Sequence, residues 1–289
     1  MAKLTITTVA DPMMGLLWET WPTIRKLETH FREQVEFKFM MGQLVRDVYE
    51  LVDSETVKKY GKTVALNQYW TRLMQVYLHE EQIAGMPIYM GGNERLFDAT
   101  HTSSVPLSRG LRAIAGQNQE VTGQVLYELQ YDTVVNDLQT NDLKYLTALA
   151  ARFNVDRSQF VARYNSADVA NQLAQEQQVM QQMQVSQLPA YILAYNGKTY
   201  VVKGIPQYSE WLKLFNQIAG GALQEKAAKF NIDEVNRLID SHPHISSLEL
   251  KEAFDVDDEQ TIIDLLKDSS LEKQNVKGTF FTRRYKEKA

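Results

Sequence analysis

The chain has 289 residues, 44% hydrophobic and 23% charged, with a net charge of -5. These are the figures of an ordinary globular protein, long enough for one large buried core and a smaller second unit. The acidic balance leaves no footprint for nucleic acid or for an anionic membrane, and the complete lack of cysteine excludes disulfides, thiolate metal sites and cysteine nucleophiles. No run approaches the ~20 apolar residues that cross a bilayer, and no signal-type apolar core follows the N terminus, so cytoplasmic residence and protein or small-molecule partners are expected.

In chain order, residues 3–9 alternate as a strand, with Leu4, Ile6 and Thr8 set against Thr5, Thr7 and Val9. A helix is predicted from about Met14 to Arg32, kinked at Pro22 because proline lacks the N–H of the helical ladder. Residues 35–41 return as a strand, so the first unit is β-α-β. From about residue 53 to residue 184 the pattern is mainly helical, with Leu66, Tyr69, Trp70, Leu73, Tyr77 and Leu78 at three- and four-residue spacing. Gly85-Met86-Pro87 and Gly91-Gly92-Asn93 punctuate it as loops. Residues 169–185 read as a glutamine-rich helix whose apolar stripe runs through Leu173, Val179, Met180 and Met183.

A hairpin follows, with residues 190–195 and 199–203 joined by Asn196-Gly197, a dipeptide suited to the two positive φ angles of a type I′ turn. A helix then presents Tyr208, Trp211, Leu212, Phe215 and Ile218 on one side and stops at Gly220-Gly221. Residues 222–289 form a smaller unit: a helix at 232–241, a second opened by the capping-box pattern Ser246-Ser247-Leu248-Glu249, a third at 259–267, and a hairpin around Lys277-Gly278. Three helices and a hairpin predict a winged-helix-like shape. The segment holds 11 Lys+Arg against 14 Asp+Glu, and Asp255, Asp257, Asp258 and Glu259 lead its third helix. A helix that reads DNA should be basic, so nucleic acid is not expected as a partner.

Several of these pieces together resemble one family. They are the run Asp11-Pro12-Met13-Met14-Gly15-Leu16-Leu17-Trp18 between a strand and a helix, the Leu188-Pro189 step before a strand, the strand at 35–41 closed by Gly42, Ser108-Arg109-Gly110, and the helices at 143–164. Over roughly residues 1–220 the chain is similar to the DsbA-type branch of the thioredoxin superfamily, in particular the FrnE-like dithiol-disulfide isomerases. The resemblance implies an α/β thioredoxin-like fold with a helical insertion at about 44–168, within a unit spanning 1–221. It also implies a cis-proline at Pro189 facing a dithiol at the tip of the first helix, with Leu188 pairing its backbone to an extended substrate. In that family a thiolate at the helix N terminus is stabilised by unpaired N–H groups and the helix dipole, which brings its pKa from about 8.5 to roughly 3.5–7.5. Here the two cysteine positions fall on Met14 and Leu17, a thioether and a hydrocarbon, and neither can form a mixed disulfide.

The tail carries a second resemblance. Ser246-Ser247-Leu248-Glu249-Leu250, the acidic helix and Gly278-Thr279-Phe280-Phe281-Thr282-Arg283 are similar to the cytosolic adaptors of Gram-positive bacteria that deliver a stress regulator to the ClpXP protease.

Other chemistries find little footing. His242-Pro243-His244 reads as an exposed turn rather than a metal site, and His79-Glu80-Glu81 lacks the second histidine of a zinc-protease helix. No phosphate loop, nucleophile elbow or dinucleotide fingerprint is present. The expectation is a non-catalytic polypeptide-binding or adaptor protein without metal or cofactor. It would use the former reactive surface, Met14, Gly15, Leu16, Leu17, Leu188 and Pro189, or its acidic tail, or both; Met14, Gly15 and Leu16 are expected at the accessible helix tip and Trp18 in the core. Two alternatives stay open. One is a thiol-disulfide oxidoreductase or isomerase, as the family would imply. The other is a glutathione-dependent isomerase or transferase using hydroxyls among Ser103, Ser104 and Ser108.

Overall fold

The computed structural model describes residues 2–89, 94–116 and 118–284; the predicted loop Gly91-Gly92-Asn93 lies outside them. Strand β1 (Leu4–Ala10) leads into a single turn, α1 (Gly15–Trp18), then α2 (Trp21–Phe31) and strand β2 (Val35–Met41). The insertion supplies α3 (Ser54–Tyr60), α4 (Lys62–Glu80), α5 (Val105–Ala115), α6 (Gln119–Gln130), α7 (Leu143–Arg152) and α8 (Arg157–Tyr164), and α9 (Ala167–Gln182) leads from it back to the sheet. Hairpin β3 (Ala190–Tyr195) and β4 (Lys198–Lys203) and helix α10 (Tyr208–Ala219) complete the first layer system. The sheet order is β2-β1-β3-β4, with β1 parallel to β2 and antiparallel to β3. This is a thioredoxin-like sheet with a helical insertion.

The local chemistry explains most boundaries. Asn196 and Gly197 take φ of 48° and 75°, the left-handed pair that the tight turn requires, and Gly220 closes α10 at φ 57°. The helix expected to run unbroken from residue 14 to 32 is two helices. Pro22 stands in the first turn of α2, where a missing N–H costs nothing, rather than kinking a helix interior. In α4, Leu66, Trp70 and Tyr77 are buried as expected, but Leu78 is exposed.

The remaining residues build a second sheet, β5-β7-β6, from β5 (His244–Ser246), β6 (Glu272–Val276) and β7 (Thr279–Arg283). With it go α11 (Ile232–Ser241), α12 (Ser247–Phe254) and α13 (Glu259–Leu265). Helix, strand, two helices and hairpin is the winged-helix order. Ser246 and Glu249 form the predicted capping box at the start of α12.

This unit is docked through the core of the body. Phe281, 2% exposed, joins the main hydrophobic cluster and stacks on Trp18, with ring centres 6.2 Å apart. Buried Glu249 accepts from Arg25 Nε of α2 at 3.1 Å and from Tyr127 Oη of α6 at 2.6 Å. The turn expected at His242-Pro243-His244 is corrected at its end: His244 is buried, opens β5 and bonds Glu128 of α6. Burial, and then the charge of Arg283, bring its pKa down to about 3. It is therefore a neutral hydrogen-bonding ring, and Arg152 and Arg283 supply the cations for Glu128.

Candidate functional site

The strand-to-helix junction is held by one buried carboxylate. Asp11 Oδ1 accepts from Met13 N at 3.1 Å, and its Oδ2 accepts from Leu44 N and Ser104 Oγ, both at 2.7 Å. Burial raises its pKa, against these three hydrogen bonds. The Met14 amide closes the loop onto the Asp11 carbonyl at 3.0 Å. One acidic residue thereby fixes the path from β1 into α1 and ties it to the start of α5.

The insertion roofs the junction. Tyr77 Oη donates to Met13 O at 2.5 Å, Gln130 Nε2 donates to Met14 O at 3.1 Å, and Trp18 Nε1 donates to Pro87 O at 3.1 Å. A Cβ at Gly15 would collide with Glu80 Oε2 and come within 2.8 Å of the Tyr77 ring, so α4 can lie this close only over glycine. Burial drives the Glu80 carboxyl up to about 7, against the Leu16 amide, which favours the ionised form. Glu19, just past α1, is pushed to about 8 by burial, against the hydrogen bonds it accepts from Ala84 and Met86 amides at 2.9 and 3.2 Å.

The predicted site residues are therefore unequal in access. Met14 is 7% and Leu17 0% exposed, Gly15 is buried, and Leu16 is half-buried. The expectation of an accessible tip at Met14 and Gly15 is corrected by Tyr77 and Glu80 covering it, while Trp18 is in the core as expected.

Leu188-Pro189 is a cis peptide bond. The register Val9 to Ala190 sets Pro189 beside Ala10, at the mouth of the same junction. Pro189 is buried and its carbonyl accepts from Gly204 N at 3.0 Å; Leu188 is half-buried against Gly42, where a Cβ would clash with Leu188 Cδ1. Among the described residues, neither the N–H nor the C=O of Leu188 has a hydrogen-bond partner.

Two of the serines proposed for a thiol cofactor are engaged in structure: Ser104 is buried on Asp11 and Ser103 Oγ bonds Val45 O. Ser108 is buried within α5, and its hydroxyl has no hydrogen-bond partner among the described residues. Ser108-Arg109-Gly110 lies in the middle of α5, and Gly110 admits Leu146 there. Among the described residues there is no His/Cys/Asp/Glu cluster able to hold a metal ion, and no helix long and apolar enough to cross a membrane. Sequence reasoning missed Asp11, Tyr77 and Gln130 as organisers of the junction. The one local signal for any of them was Asp11 standing between a strand and a helix.

Comparison with known proteins agrees with this geometry. No curated protein matches the chain by sequence. Among solved structures, a putative protein disulfide isomerase from Nitrosomonas europaea superposes with a TM-score of 0.58 at 16% identity, covering 74% of this chain and 98% of that one. The cytosolic disulfide reductase DsbM from Pseudomonas aeruginosa gives 0.56 at 17% identity, covering 75% and 100%. A probable DsbA oxidoreductase from Streptomyces coelicolor gives 0.55 at 16%, covering 78% and 94%. At such identities the likeness is one of fold. A family model described as Thioredoxin matches residues 8–212, a span that includes both the degenerate junction and the cis-proline. The chain thus belongs to the thioredoxin family, with a DsbA-like fold and no cysteine.

Proposed function

We propose that this protein is a redox-inactive thioredoxin-fold protein that holds another polypeptide through the Leu16 and Leu188-Pro189 surface. The observation that carries the reading is the pair of unpaired peptide groups at Leu188, beside a buried cis-proline and an apolar, partly exposed side chain. An extended chain can bond that backbone by strand addition, a mode that needs no sulfur. The positions that would carry chemistry hold Met14 and Leu17, buried and without an ionisable proton.

The test is fluorescence anisotropy with labelled, reduced and carboxymethylated lactalbumin as an unfolded polypeptide probe. Saturable binding that Leu188→Asp weakens at least tenfold supports the reading. Absence of saturation at millimolar protein, or indifference to Leu188→Asp, overturns it.

A further inference from the structure

Strand β2 ends the sheet, and its outer edge is half covered. Gly42 N donates to Ala10 O, so the alternation of a parallel ladder turns the peptide groups of residues 35, 37, 39 and 41 away from β1. Side chains of α5 and α9 satisfy the far half of this edge. Arg112 Nη2 donates to Phe39 O at 2.7 Å, Glu176 Oε2 accepts from Met41 N at 2.9 Å, and Gln177 Nε2 donates to Met41 O at 3.3 Å. At the near end, Val35 N donates to Arg32 O. Between these, the Val35 carbonyl, both groups of Phe37 and the Phe39 N–H have no partner among the described residues. The edge is thus protected where these two helices reach it and open where a cleft begins.

That cleft has a volume of about 910 Å³. Its floor is the β2 edge at Val35, Phe37 and Phe39, and its walls come from α2, the first turns of α6, and α11. Gln124 Nε2 of α6 bonds Ser241 O at the end of α11 at 3.1 Å, so the docked C-terminal unit makes one wall of it. The charges are uneven. Arg32 and Arg237 both pair with Glu234, and Arg25 pairs with Glu28, whereas Glu33 and Glu120 line the cleft with no cation among the described residues; Lys3 lines it without a carboxylate partner among them, so the lining stays acidic on balance.

We propose that this cleft takes an extended, basic segment of a partner polypeptide, which adds to the outer edge of β2 as a further strand. An occupant of a free strand edge must offer its own backbone, so a strand fits where a helix cannot, and carboxylates without cations select lysine and arginine side chains at its rim. The proposal rests on the reading that the chain binds polypeptide, but at a surface separate from Leu188.

The test uses the full chain and a labelled peptide of alternating lysine and valine. Its controls are the same peptide N-methylated at alternate residues, a glutamate-valine peptide, and a Glu33→Lys/Glu120→Lys variant altered only at exposed positions. Expected are saturable anisotropy, slowed hydrogen exchange at the Phe37 and Phe39 amides, and at least tenfold weaker binding for N-methylation and for the double variant. No saturation at millimolar peptide, equal binding of the glutamate-valine peptide, unchanged exchange at Phe37, or insensitivity to N-methylation or to the charge reversals overturns it. So does sedimentation showing a second copy of the chain on this edge. Lactalbumin binding weakened by Leu188→Asp that survives these failures sinks the cleft alone; peptide binding here by a protein that binds no lactalbumin, or whose lactalbumin binding ignores Leu188→Asp, sinks the Leu188 surface alone.

Discussion

Replacing Glu249 with alanine should loosen the C-terminal unit from the body. The Glu249 side chain is fully buried, and it holds the Arg25 guanidinium, Tyr127 Oη, and both the amide and hydroxyl of Ser246. Glu249→Ala strands Arg25, itself 2% exposed, with Glu28 as its one carboxylate partner among the described residues, and takes from Tyr127 Oη and the Ser246 N–H the acceptor each has in Glu249. Breaking a buried ion pair by removing one member costs about 3–5 kcal/mol; because Arg25 keeps Glu28, the lower half of that range is expected. For a chain of this size the loss corresponds to a fall in Tm of roughly 5–10 °C. Urea unfolding followed by both tryptophan fluorescence and far-UV circular dichroism measures it, since Trp18 lies against Phe281 and reports the docked contact. Replacing both ends with apolar residues, Arg25→Met with Glu249→Leu, should cost less than Glu249→Ala alone. A single-variant loss below about 1 kcal/mol would refute the reasoning, because so buried a pair cannot be cut that gently if it holds the two parts together.

The remaining expectations concern titration and packing. The Glu19 carboxyl, raised to about 8, ionises in the unfolded chain near 4.5, so its contribution favours the fold at low pH and is lost between 4.5 and 8. Glu19→Gln should therefore flatten the fall in Tm over that window, and an unchanged pH profile would contradict it. His244, lowered to about 3, should show no imidazole titration by NMR between pH 5 and 8, and a midpoint near 6.5 would mean that it is not buried on Glu128. Phe281→Ala should cost about 3–5 kcal/mol by urea unfolding, as expected for a buried aromatic ring, whereas a surface-like cost would deny its place in the core.

Much of this architecture was legible in local patterns. The alternation of β1, the Asn196-Gly197 turn, the Gly220 stop and the Ser246/Glu249 capping box each encode geometry within a few residues, and each is found. What could not be read depends on distant partners. Pro22 is compatible with a kink or a helix start, and the separate turn at α1 decides between them. His244 looks exposed beside a proline until Glu128, 116 residues away, closes on it. The Glu249 pattern announces a cap but not Arg25, 224 residues away. At the candidate site, composition revealed the missing sulfur, whereas the roof of Tyr77 and Glu80 that buries Met14 and Gly15 follows only from the path of α4.

The most direct measurement of the central claim is insulin reduction by the pure protein with dithiothreitol as reductant. A frame that retains the strand, helix and cis-proline but carries Met14 and Leu17 in place of two thiols should give a rate equal to the blank without protein. Turnover above that blank, rising in proportion to protein concentration, would contradict it.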